Sequence, residues 1–97
     1  MKILDIDRGS LVHTTKSVLS SASDILYVSI DRQMKIFMCG NELSFYLGEI
    51  GLIALSDLLE KDTTILQLPE FECGDTFYRP KAGWPWEKMG TMQQITR

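Results

Sequence analysis

Residues 24–39 constrain this chain more than any other stretch. Asp24-Ile25-Leu26-Tyr27-Val28-Ser29-Ile30-Asp31 is dominated by apolar, aromatic and β-branched residues and is bounded by two aspartates. Such composition favours a pleated, half-buried strand over a helix. The polar stretch Asp31-Arg32-Gln33 is short enough for a hairpin turn, and Met34 to Cys39 supplies the return strand. Side chains alternate across a strand, so Met34, Ile36 and Met38 share one face and Lys35, Phe37 and Cys39 the other. A chain holding this hairpin must place an apolar layer against its buried face.

Elements for that layer lie on both sides. Ile3, Leu4 and Ile6 suit a short first strand or a tail. Gly9-Ser10 offers a break and a helix N-cap. Leu11, Val12, Val18, Leu19 and Ala22 recur with a spacing of seven, which predicts a helix over residues 10–22. Strong helix formers are few there, so that helix would depend on packing. Gly40-Asn41-Glu42 suits a second turn. Leu43 to Leu47 fits a third strand, making a meander, or a loop. Leu52 to Leu59 is apolar along a helical stripe, with Ser56-Asp57 placed to cap its second half, and a short helix is expected from Ala54 to Lys61. Thr64 to Leu68 is β-branched and apolar, hence a strand or extended segment that Pro69 ends. Phe77 and Tyr78 suggest one last short strand. Gly90 to Arg97 carries few packing residues and is expected to be a frayed tail. The predicted architecture is one α+β domain, with its core over about residues 3–89. A small antiparallel sheet, a hairpin or a meander, would carry about two helices on one face.

At 97 residues, 44% apolar and 24% charged, the composition is that of an ordinary globular domain. The apolar runs fall short of a membrane span, and Asp5 and Asp7 interrupt any signal-peptide core. A cytoplasmic protein with no membrane role is expected. A net charge of −3 disfavours nucleic acid, whose phosphates need a basic face. It suits a basic protein partner, because complementary charge steers association. Cys39 and Cys73 stand 34 residues apart in sequence, with no Cys-x-x-Cys and one histidine in the chain. No zinc spacing is present, and free thiols are expected in a reducing compartment.

Catalytic constellations are also sparse. His13 is the one histidine open to a triad, and no Gly-x-Ser-x-Gly elbow accompanies it. Placed on the polar side of the predicted first helix, it is expected on the surface. Cys73 sits among Glu70, Glu72 and Asp75, whose negative charge opposes a thiolate. The pairs Asp5 with Asp7 and Glu70 with Glu72 would each share a face in a strand, but no further ligand converges on them. No catalytic residue, metal or cofactor is assigned, and no enzymatic activity is expected.

Residues 70–89 are more informative about binding. Turn-formers alternate with Phe71, Phe77, Tyr78, Trp84 and Trp86 and with acidic side chains. Trp, Tyr and Arg dominate interface energetics, and small domains also recruit tryptophans to cover their cores. These tendencies divide evenly for Trp84 and favour the core for Trp86. Glu70, Glu72, Asp75, Arg79 and Trp84 are the candidate partner contacts.

The order of these motifs resembles a family of small bacterial immunity proteins of polymorphic toxin systems, formerly grouped as a domain of unknown function. Asp24 to Val28 matches a D-I-L-Y-V segment, and Phe37 to Glu42 an aromatic strand ending in Gly-Asn-Glu. Leu55 to Asp62 matches L-x-x-L-L-E-x-D. Leu68, Pro69, Gly74, Tyr78 and Arg79 match L-P-x-x-x-x-G with a following aromatic-Arg pair, and Gly83 and Trp86 match a closing Gly-x-x-Trp. The resemblance covers about residues 24–88. It departs at Lys35, where similar chains carry tryptophan, and at Thr63, where they carry proline. It implies a non-catalytic antitoxin-like protein that occludes a cognate toxin domain by direct binding. It does not assign contact residues. Two alternatives remain: a structural or phage-borne adaptor that forms a homodimer through an edge strand, or a small metal-binding protein built on the acidic pairs.

Overall fold

The computed structural model describes residues 1–40 and 50–89. Within them the hairpin forms as its sequence demands. Strand β2 (Tyr27–Ile30) pairs antiparallel with β3 (Ile36–Cys39), matching Val28 with Met38 and Ile30 with Ile36. The Asp31 carboxylate fixes the turn. Its Oδ1 accepts from the backbone amides of Gln33 and Lys35, both at 2.8 Å. The turn is longer than the sequence suggests. Met34 takes φ 63°, a left-handed conformation that ends the turn instead of beginning the strand. Its side chain still packs, half-buried, against the core.

The region read as the first helix is mostly strand. Leu11–Thr15 forms β1, and only Lys16–Leu19 turns helical, as the single turn α1. Val12 and Thr14 are the inward residues of β1. The Thr14 hydroxyl donates to the Met38 carbonyl at 2.6 Å, so a polar residue is satisfied inside the core. That buried threonine hides the strand alternation, while Leu11, Val12, Val18 and Leu19 mimic a helical repeat.

A strand that the sequence did not suggest, β4 (Ile50–Ala54), runs straight into helix α2 (Leu55–Lys61). Gly51 in β4 admits the side chain of Leu19, since a Cβ there would lie 3.2 Å from Leu19 Cδ1. Helix α2 buries Leu55, Leu58 and Leu59, the three- and four-residue spacing of one face. Its start has no side-chain cap. Instead the amides of Leu55 and Ser56 donate to the carbonyls of Ser10 and Arg8, each at 2.9 Å. The expected helix is thus present, but Ser56 and Asp57 do not cap its second half.

Two further expectations are corrected. Ile3–Asp5 is a 3₁₀ turn and not a strand, and Thr63–Gln67 is 3₁₀ where an extended segment was expected. Asp62 drives the second, because its carboxylate accepts from the Thr64 amide at 2.9 Å. Phe77 and Tyr78 lie in β5 (Thr76–Tyr78) as expected, and a further strand, β6 (Glu87–Met89), pairs with it. The expected turn at Gly40-Asn41-Glu42 extends, from Asn41 on, beyond the described residues, as do the third strand over 43–47 and the tail over 90–97.

Among the described residues, six strands form one sheet in the order β4-β1-β3-β2-β5-β6. The class is α+β, as expected, but the sheet is larger than a hairpin or meander and is mixed. β1 pairs parallel with β3 and antiparallel with β4. The helices do not form a layer on one face either. α1 is one turn, and both helices follow the strands β1 and β4 at that edge of the sheet. Val12, Val28, Ile30, Met38 and Phe77 from the sheet cluster with Ile3, Leu55, Leu58, Ile65 and Phe71. Burial of that apolar surface is the main stabilising term.

Neither cysteine is in a disulfide; Cys39 is buried and Cys73 exposed. A thiol reagent is therefore expected to modify the native protein once, rapidly, and to find the second thiol only on denaturation. Two fast equivalents on native protein would refute this placement.

Candidate partner-binding face

Local chain chemistry sets the stage around β5. Before it, the Asp75 amide donates to the Glu72 carbonyl at 3.2 Å, with Gly74 in third place at φ 87°. After it, the Trp84 amide donates to the Lys81 carbonyl at 3.1 Å, with Gly83 in third place at φ 83°. Both turns use a positive φ that glycine alone adopts freely. Nothing lies within 4 Å of a Cβ built on either glycine, so backbone conformation and not crowding selects glycine there.

The second turn lifts Trp84 into solvent. Its side chain is 50% exposed, and Lys81 Nζ stands 5.8 Å from the centre of its ring. Pro80 to Pro85 is exposed throughout. Tyr78, the outward residue of β5, is exposed as well and lies opposite Glu87 of β6. Tyr78 was not among the candidate contacts. The signal for it was strand alternation, because Phe77 beside it is buried and the next side chain must face away. Glu70 and Glu72 are exposed on either side of buried Phe71. They precede β5 and Trp84 follows it, so the strand separates the acidic pair from the tryptophan.

Two candidates lie inside instead. Arg79 is 0% exposed. Its Nε and Nη2 both donate to the Ile25 carbonyl, at 3.1 and 2.9 Å, and its Nη1 donates to Thr64 Oγ1 at 2.7 Å. Nη2 also forms an ion pair with Asp62, whose other oxygen accepts from the Thr64 hydroxyl. The guanidinium stacks 4.1 Å from the centre of the Trp86 ring, and Trp86 Nε1 donates to the Thr64 carbonyl at 3.4 Å. Arg79 is thus the hub that ties β5 to the segment before β2, to the second 3₁₀ turn and to the closing tryptophan. Asp75 is also buried. It accepts from the Glu72 amide at 2.8 Å and pairs with Lys88 at 3.3 Å, bracing β5 against β6. In this fold Arg79 and Asp75 support the surface, while Glu70, Glu72 and Trp84 stand on it. Trp86 is buried, as its expected core role requires.

A half-open cleft of about 370 Å³ lies beside the ion pair, lined in part by Asp24, Lys61, Asp62 and Gly83. Lys61 Nζ donates to the Leu19 carbonyl at 3.2 Å and to Ser21 Oγ at 3.0 Å, so its contacts close the end of α1. His13 is not on a helix. It is half-buried on β1, its ring stacked on Phe37 with centroids 4.5 Å apart. Among the described residues, no group of three or more His, Cys, Asp or Glu side chains is placed to hold a metal ion, and no helix is long and apolar enough to cross a membrane.

No family model, curated protein or solved structure matches the chain.

Proposed function

We propose that this protein works by binding another protein, as a bacterial immunity or antitoxin-like inhibitor that neutralises a cognate toxin domain. The observation that carries the reading is Trp84. A small domain has every reason to bury a tryptophan, and this chain buries Trp86 two residues later. Trp84 instead stands half in water, at the last position of a glycine turn that its own backbone amide closes. A large aromatic side chain held out on a braced turn suits the anchor of an interface. Tyr78 is a second exposed aromatic side chain. Glu70, Glu72 and the net charge of −3 favour a basic partner. The motif order of residues 24–88, which resembles immunity proteins, supports the same reading. Occlusion of this kind needs no catalytic residue and no cofactor.

The partner is sought by capture from the native lysate on the tagged chain, and mass spectrometry identifies what is bound. A stoichiometric toxin domain that loses activity on binding is the expected result. With that partner in hand, W84A is expected to weaken affinity about thirtyfold or more, the loss typical of an aromatic hot spot. E72K is expected to slow association, more so at low salt. If both variants stay folded and bind as the parent does, the interface lies elsewhere.

A further inference from the structure

The two ends of the sheet differ in kind. β6 is three residues long, and two of them, Glu87 and Lys88, are charged and exposed. Pro85 stands just before it. Charge, brevity and a nearby proline are the usual protections of an edge strand. β4 has none of them. Its five residues, Ile50-Gly51-Leu52-Ile53-Ala54, carry no charge and no proline. Ile50 is 45% exposed and Leu52 54%, and among the described residues no strand pairs with the outer side of β4. Leu11, opposite Ala54 on the neighbouring strand, is exposed too. An uncharged, apolar edge of this length is a template for another strand.

We propose that this edge pairs with β4 of a second copy of the chain, antiparallel about a two-fold axis through Leu52. The sequence of the strand identifies the occupant. A two-fold axis at Leu52 sets Leu52 against its own copy, Gly51 against Ile53, and Ile50 against Ala54. Every pair but the central one then places a large side chain opposite a small one. Ile50, Leu52 and Ala54 share a face, so that face becomes a continuous apolar row across the joint. On the axis a residue meets its own copy, and Leu52 there carries no charge to repel, nor does any other residue of the strand. The same operation centred on β6 would set Lys88 against its own copy and Glu87 against Met89. Pairing through β4 makes one sheet of twelve strands, with the two Trp84 turns toward its far ends. Five residues a side fall well below the roughly 800 Å² per partner of a standard interface, so the dimer depends on concentration.

The test is sedimentation equilibrium of the full chain from ~1 µM to ~1 mM, a range that brackets weak association. The mass is expected to rise with concentration from the monomer value of 11.1 kDa toward twice that figure. L52K sets two lysines against each other at the axis. It is expected to raise the dissociation constant about a hundredfold or more while far-UV circular dichroism stays unchanged. A second variant reads the register directly. L52C on a C73S background is expected to form an interchain disulfide on mild oxidation, because the axis brings the two Cα atoms within the roughly 4.4–6.8 Å that such a bond requires. L11C on the same background, one strand further in, is expected to stay reduced. A chain that remains monomeric at the highest concentration overturns the proposal. So does a dimer that survives L52K and leaves L52C unlinked. No toxin enters this experiment, so its result is independent of the proposed inhibition.

Discussion

Replacing Asp62 with alanine is expected to cost about 3–5 kcal/mol of folding stability, the usual loss when one partner of a buried ion pair is removed. Asp62 is only partly exposed and Arg79 is fully buried, so the variant strands a cation that cannot reach water. The remaining bonds to Ile25 and Thr64 accept its protons without offsetting its charge. The Thr64 amide and hydroxyl also lose their acceptor. For a chain of this length, such a loss lowers Tm by more than about 12 °C. That approaches the whole stability of a small domain. D62N keeps an oxygen at the site and is expected to be milder. R79K is not conservative, because one ammonium cannot reproduce a fork that holds Ile25, Thr64 and Asp62 together. Thermal and urea unfolding of the three variants, with E72A as a surface control within about 0.5 kcal/mol of the parent, decides the matter. A D62A midpoint close to that of E72A would mean that the pair contributes little to the fold.

W86A is expected to cost about 3–5 kcal/mol, and W84A less than about 0.5 kcal/mol, although the two tryptophans flank a single proline. Trp86 covers the Arg79 guanidinium and donates to Thr64, so its removal opens a cavity and wets the ion pair at once. Trp84 rests on its own turn. Denaturant midpoints separate the two. Intrinsic fluorescence gives a second reading, since W84A retains only the buried indole and its emission should move to shorter wavelength. Equal losses in the two variants would mean that Trp84 belongs to the core, and the proposed interface would lose its anchor.

These two sites show which parts of the fold were legible. The hairpin was plain because apolar, aromatic and β-branched residues dominate its first strand, two aspartates bound that strand, and a short polar stretch leads to the return strand. Helix α2 was plain because Leu55, Leu58 and Leu59 repeat at helical spacing. Strand β1 was masked by a core threonine whose hydroxyl finds a carbonyl on β3, a pairing between residues 24 apart. Strand β4 was masked by continuity, since no capping side chain separates it from α2 and backbone carbonyls of residues 8 and 10 take the cap's place. Arg79 was misjudged for a similar reason. An arginine near aromatics has the composition of a hot spot, and only the fold brings Asp62 to it from 17 residues away. The exposure of Trp84 against the burial of Trp86 likewise depends on the turn at Gly83, which composition alone leaves open.

The strand order also governs the sequence of events during synthesis. β2 and β3 are joined by the tightest connection in the described sheet and can meet as soon as both exist. β1 is made before either of them, yet its neighbours are residues 36–39 on one side and 50–54 on the other. The earliest strand of the chain must therefore wait, its valine and threonines unpaired, for later segments to build the slot that it fills.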